Sequence, residues 1–180
     1  MSGPRDDRVR KRRVWLHLVP GRFRRFDAGA EPRAVSIYAA VVRQLVTRDH
    51  GFGGDDPGFR AVYVLDGAAA PACDPGKIDP EPRRPFSADL KAALTVALDD
   101  LPPVTFVPTR AAAFDGRSPG RVKNRGALVT LGPIDGARRR VEVGANLWID
   151  GRAATWLTYV VRKPDGAWRV TGTTGPIAIA

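Results

Sequence analysis

Chemistry near neutral pH is ordinarily carried by histidines, cysteines and paired carboxylates, and this chain has few of them. Its 180 residues hold two histidines and one cysteine. His50, beside Asp49, is the only histidine outside the first 33 residues, which makes it the one ordinary proton shuttle of the folded part and the candidate general base. The same place, at the end of an expected helix, better suits a histidine that caps carbonyls and meets the negative end of the helix dipole. Cys73 lies among Pro71, Asp74, Pro75 and Gly76 and reads as a loop thiol. With a single cysteine no internal disulfide forms, and the chain needs no oxidising compartment.

One motif has the look of catalysis. Gly116-Arg117-Ser118-Pro119-Gly120 fits the G-x-S-x-G of a hydrolase nucleophile elbow. The residue after the nucleophile must donate its N–H to the oxyanion, and Pro119 has none. Both histidines also lie upstream, where the order Ser, acid, His needs one downstream, so a Gly-Pro turn is the better reading. Two histidines and one cysteine fall short of a zinc site. Asp49, Asp55 and Asp56 lack the alternation and terminal Glu of a calcium loop. Neither glycine-rich nucleotide fingerprint occurs. No metal and no cofactor is expected. The aromatic residues Trp148 and Trp156 are the remaining candidates, as the lining of a pocket for a small apolar ligand, with core packing as the plainer role.

The elements that must position these residues follow from period and punctuation. Ile37, Tyr38, Val41, Val42, Leu45 and Val46 share one helical face after Pro32, and the helix should end between residues 48 and 50. Residues 59–66 read as a strand and 67–85, with five prolines, as a long loop. Ser87 should cap a second helix whose stripe is Leu90, Leu94, Ala97, Leu98 and Leu101, halted by Pro102-Pro103. A short strand at 104–107 and a Gly/Arg-rich loop at 108–126 come next. Strands are then expected at 127–131, 140–149, 152–162, 168–171 and 177–179. Asp150-Gly151 should form a two-residue type I′ hairpin loop, and Pro164-Asp165-Gly166 another turn. On the strand 152–162, Thr155, Leu157, Tyr159 and Val161 should face the helices, leaving Trp156 and Thr158 on the other side. This order predicts an α+β fold: two main helices packed on a curved antiparallel sheet that ends in a C-terminal meander.

Twenty-nine basic against nineteen acidic residues give a net charge of +10. Residues 1–33 hold ten of the basic residues and four acids, the other 147 nineteen and fifteen, so the excess is concentrated in the first segment. Arginine supplies twenty-four of the basic residues, and in a chain rich in Ala, Gly and Pro part of the basicity follows from G- and C-rich coding. Residues 1–33 are expected to be a basic N-terminal arm and 34–180 a single α+β domain. In the arm, Arg10, Lys11, Arg12, Arg13, Arg24 and Arg25 could neutralise phosphates while Trp15, Phe23 or Phe26 stack on bases. The six-residue run 14–19, interrupted by His17, is too short for a signal peptide, and no apolar stretch approaches the roughly 20 residues of a membrane span. A cytoplasmic protein with no membrane contact is expected.

The segments Gly126-Ala-Leu-Val-Thr-Leu-Gly-Pro-Ile134, Leu147-Trp148, Trp156-Leu-Thr-Tyr159 and Gly166-Ala-Trp-Arg-Val-Thr-Gly-Thr-Thr-Gly-Pro-Ile177 resemble an uncharacterised family of proteins from high-GC actinobacteria over residues 35–180. The order of elements is also similar to the cystatin-like and nuclear-transport-factor-2-like group. That resemblance implies a cone-shaped sheet around a small-molecule pocket, and, for enzymes of the group, an Asp and a His within it, for which Asp66 and His50 are the residues at hand. A shared fold does not choose among functions. The leading expectation is a non-enzymatic accessory domain that binds a small apolar ligand or forms a homodimer through its sheet. The alternatives are a small lyase or hydrolase using His50 and Asp66, and nucleic-acid binding through the arm.

Overall fold

The computed structural model describes residues 30–51, 58–70, 74 and 84–180. Cys73, Asp55, Asp56 and the arm cations Arg10, Lys11, Arg12, Arg13, Arg24 and Arg25 lie outside these. The described chain is α+β. Helix α1 (Ala30–Thr47) begins inside the stretch expected to be arm; β1 (Ala61–Ala68), α2 (Ala88–Ala97) and β2 (Val104–Val107) follow. A 3-10 turn (Arg110–Ala113) and a tight turn (Lys123–Arg125) lead to β3 (Gly126–Ala137), β4 (Arg140–Asp150), β5 (Ala153–Arg162) and β6 (Arg169–Ile179). No helix among the described residues is long and apolar enough to cross a membrane.

The six strands form one open sheet in the order β2-β1-β3-β4-β5-β6. Strands β3 to β6 are the expected antiparallel meander. The expectation of a wholly antiparallel sheet is corrected at the other half, where β1 runs parallel to both β2 and β3. Parallel strands are normally covered on both faces and read as continuous apolar runs. Val62-Tyr-Val-Leu65 is such a run, and all four side chains are buried.

Both helices pack on one face. Ile37, Val41 and Leu45 of α1 and Leu94 of α2 meet Val62, Val129, Leu147, Leu157, Tyr159 and Val161 in one core, so the expected inward face of β5 is the observed one. Ser87 caps α2, its Oγ accepting from Leu90 N at 3.0 Å. A cap of this kind stabilises a helix by about 1 kcal/mol. The stripe ends earlier than expected: Leu98 is the C-cap residue and Leu101 packs on the core from beyond the helix. The expected short strands at 168–171 and 177–179 are one strand, β6, with irregularities against β5.

The other face carries a smaller core of Tyr63, Val107, Ala113, Val122 and Leu128. Its cover is the segment expected to be a plain loop at 108–126. Thr109 caps the 3-10 turn, Phe114 bridges Val122, and Val122 N donates to Ile149 O at 2.8 Å, so this segment closes on β3 and β4.

The β4–β5 hairpin corrects the expected loop by one residue. Asp150 pairs with Ala153, so the loop is Gly151-Arg152, and Asp150 Oδ1 accepts from Arg152 N at 2.8 Å. Gly151 is outside the positive-φ region, which excludes a type I′ turn. An irregularity between Trp148 and Asp150 absorbs the slip, and the faces of β5 stay as expected.

Candidate functional site

The strand register assembles a cationic surface at one end of the sheet. Arg140 of β4 is the partner of Arg162 of β5, which is in turn the partner of Arg169 of β6. Direct partners share a face, their Cβ atoms about 5 Å apart, and like charges so placed destabilise a sheet. Val141, Val161 and Val170 form the adjoining row and pack in the helix-side core, so the three arginines project from the opposite side. Glu142 Oε1 lies 2.7 Å from Arg140 Nη2 and offsets part of the charge.

Hairpin tips extend this row. Arg138 and Arg139 make the β3–β4 turn, and Lys163 N donates to Arg139 O at 2.9 Å, which ties the β5–β6 turn alongside. Arg138 adopts φ 52, a left-handed conformation that costs a non-glycine residue on the order of 1 kcal/mol. Helix α1 starts at the same end. Its Arg33 guanidinium lies 5.5 Å from the ring centroid of half-buried Trp168, in the β5–β6 turn, and donates to Gly136 O at 3.5 Å.

Three adjoining depressions run across this end. One of about 680 Å³ is lined by Arg33, Ser36, Arg138, Lys163 and Trp168 among others. The next, of about 370 Å³, shares Lys163 with it and adds Arg139, Arg140 and Arg162. The third, of about 550 Å³, shares Arg140, Arg162 and Pro164 and continues along Thr171, Thr173 and Thr174. Together they make a groove with guanidinium groups along its length, an indole near one end and hydroxyls at the other. Besides Glu142, this end carries Asp135 near the end of β3 and Asp165 in the β5–β6 turn. Such a surface can hold a chain of anions through charge-assisted hydrogen bonds.

The sequence-derived candidates fall elsewhere. His50 is buried just past α1, its ring edge-to-face with Phe59 at 6.3 Å. Asp66 is engaged by α2: Lys91 Nζ lies 2.7 Å from Oδ2 and Phe86 N donates to Oδ1 at 3.1 Å. Phe59 precedes β1 whereas Asp66 lies near its far end, roughly 17 Å along the strand at about 3.3 Å per residue. The structure therefore does not bring His50 and Asp66 together. Asp49 instead accepts from the buried Tyr159 hydroxyl at 2.9 Å and from Gln44 at 3.2 Å. Burial first, then the Asp49 charge and hydrogen bond, raise the Tyr159 pKa and keep the phenol protonated. Ser118 lies in a turn, its carbonyl accepting from Arg121 N, with no helix after it. Among the described residues no three His, Cys, Asp or Glu side chains form a group able to hold a metal ion.

Trp148 and Trp156 do come together, edge-to-face at 6.2 Å on the outer face. Their surroundings are filled by protein. Arg110, only 6% exposed, places its guanidinium 4.6 Å from the Trp148 ring centroid, Phe114 packs at 6.5 Å, and Trp148 Nε1 donates to Gly120 O at 2.7 Å. This cluster pins the 108–125 segment to the sheet.

Sequence reasoning missed the arginine row because it weighed charge along the chain and credited the excess to the arm. The run Arg138-Arg139-Arg140 was visible, as was Arg162-Lys163. Counting outward from the β4–β5 hairpin loop brings the two runs together to within a residue. Compared with known family models, curated proteins and solved structures, the chain matches none.

Proposed function

We propose that this chain is a non-enzymatic binding domain that holds single-stranded nucleic acid across the basic end of its sheet. The observation that carries the reading is the groove that Arg140 and Arg162 line from adjacent strands and that continues to Lys163, Arg138 and Arg33, with Arg169 beside it as the strand partner of Arg162. A row of like charges costs stability, and a polyanion supplies the compensating charge. Trp168, half-buried on the groove, offers a face on which a base stacks, and base–aromatic stacking contributes about 1–3 kcal/mol. The arm joins α1 at this end, so Arg24 and Arg25 are a few residues of chain from Arg33.

A small apolar ligand inside a cystatin-like or nuclear-transport-factor-2-like cone is not favoured, since fully buried Ile37, Val41, Leu45, Leu147 and Tyr159 fill the space between α1 and the sheet. An enzyme using His50 and Asp66 is not favoured either, given their separate engagements.

The test is fluorescence anisotropy of a labelled single-stranded 20-mer, titrated with full-length protein from about 50 to 300 mM salt. Each phosphate contact on a single strand contributes about 0.7 to the slope of log K against log salt. Replacing Arg140, Arg162 and Arg169 together by Gln should reduce that slope by about 2 and weaken binding by about 100-fold, with the melting temperature no lower than that of the parent. An unchanged slope in that variant would overturn the proposal. So would affinity that vanishes on removing residues 1–29 and survives loss of the row, because the arm would then be the whole site.

A further inference from the structure

We propose that a second, separate site lies at the other end of β3: a hollow between Arg121, Arg125 and Phe59 that binds a small organic anion, an oxyanion head group on a short flat apolar body. The hollow has a volume of about 170 Å³ and is lined by Phe59, Val122 and Ile149, the two arginines, and the backbone of Gly58 and Gly126. Pockets for drug-sized ligands run to about 300–1,000 Å³, so this one suits a single ring or less. It opens at the first residue of β3, whereas the arginine groove begins at the last, roughly 36 Å of strand away at about 3.3 Å per residue.

Three observations point to an anion. Among the described residues no carboxylate lines the hollow, and neither Arg121 nor Arg125 makes an ion pair or a side-chain hydrogen bond. The Arg125 guanidinium hangs over the floor: a Cβ added at Gly58 would meet Arg125 Nη2 at 3.8 Å. The backbone that aims it is strained, because Asn124 and Arg125 are consecutive non-glycine residues at φ 58 and φ 51. Asparagine tolerates that conformation, but arginine has no local reason to adopt it. The turn is held by Asn124 Nδ2 donating to Tyr63 Oη at 2.8 Å and by Arg60 N donating to Arg125 O at 3.1 Å. Strain maintained by surrounding structure is characteristic of ligand-holding positions. The Arg125 guanidinium, with Arg121 also bordering an apolar wall, matches a carboxylate or a phosphate monoester on an aromatic ring. The head group takes the forked N–H donors and the ring lies against Phe59.

The probes are benzoate, phenyl phosphate, inorganic phosphate and neutral benzyl alcohol, titrated into full-length protein by calorimetry up to about 10 mM, well beyond a millimolar Kd. Saturable one-to-one binding of benzoate or phenyl phosphate, at least tenfold tighter than benzyl alcohol, is expected. Preference between the two anions assigns the head group as carboxylate or phosphate, and inorganic phosphate reports the head group alone. Arg121→Gln and Arg125→Gln should each weaken the preferred anion about tenfold or more. Arg125→Gly, which relieves the backbone, should melt no lower than the parent and still lose binding, so loss of the site is separable from loss of the fold. Arg162→Thr, in the distant groove, should leave this binding unchanged and so keeps the result independent of the nucleic-acid reading. Absence of saturable binding by both organic anions, equal binding of benzyl alcohol, or full affinity in the arginine variants would overturn the proposal.

Discussion

Two arginines of this protein sit over tryptophans, and their surroundings give them opposite roles. Arg110 lies over Trp148 on the outer face of the sheet, 6% exposed, with Phe114 beside it and the indole N–H bonded to Gly120 O. Arg33 lies over Trp168 at the end of the sheet, in a groove bordered by further cations. A cation over an aromatic ring is therefore no sign of function by itself. Where the cation is buried between two rings, the contact holds a segment in place; where the cation and its charged neighbours border an open groove, the pair can receive a ligand.

The largest effect is expected from removing Trp148, the ring beneath buried Arg110. Trp148→Ala should destabilise the domain by about 3 kcal/mol in urea unfolding, through lost burial and release of the 108–125 segment, while leaving oligonucleotide affinity to within twofold. A large affinity loss with unchanged stability would reverse the assignment. Making one substitution at both pairs comes next. Arg110→Leu should cost about 2 kcal/mol of stability and leave binding unaltered, whereas Arg33→Leu should cost less than about 0.5 kcal/mol and weaken oligonucleotide binding several-fold.

Sealing also predicts a pH dependence on the helix-covered side. The Tyr38 hydroxyl, bonded to Gly132 O at 3.1 Å, is pushed up to about 12 by burial and then by the Asp135 charge, and Tyr159 is raised by burial and Asp49. An unfolded tyrosine ionises near pH 10, so above that pH the unfolded state loses protons that the folded state keeps. Stability should hold up to about pH 10. Between pH 10 and 12 each phenol should then remove about 1.4 kcal/mol per pH unit. Tyr38→Phe should remove one of these two contributions, read from urea midpoints at pH 9, 10 and 11. The smallest effect belongs to the open side. Arg162→Thr takes away the middle charge of the row and should raise stability by about 0.5 kcal/mol while lowering oligonucleotide affinity. A loss of stability there would show that the row is structural.

Much of the architecture was legible from local pattern. The stripe Leu90, Leu94 and Leu98 with Ser87 before it specified α2, because a helix reports its buried face every three or four residues and its start by a capping side chain. Alternation along β5 placed Leu157, Tyr159 and Val161 inward and Trp156 outward. Pairing was less legible. The parallel placement of β1 beside β3 joins strands separated by α2, β2 and the 108–125 segment, and alternation within a strand says which side is buried but not which strand lies next to it. The one-residue slip at Gly151-Arg152 arose because Asp150 closes the turn with its side chain, an option that competes with the type I′ loop its dipeptide suggests. Of the candidate site residues, His50 and Asp66 were chosen for residue type alone, and residue type carries no information about the distance between them.

The two helices, a C-terminal antiparallel meander, the scarcity of proton-transfer and metal-ligating side chains, and the excess of arginine were already set by the sequence, though not the joining of its last two strands into one. Those properties are local or additive, so they survive reading one residue after another. Tertiary structure decided which arginines became neighbours. Strand register set Arg140, Arg162 and Arg169 in one row, the start of α1 brought Arg33 to the same end, and the 108–125 segment buried Arg110 on the face where Trp148 lies. An electrostatic site depends on separations of a few ångströms between residues far apart in the chain, and only the closing of the sheet sets those separations.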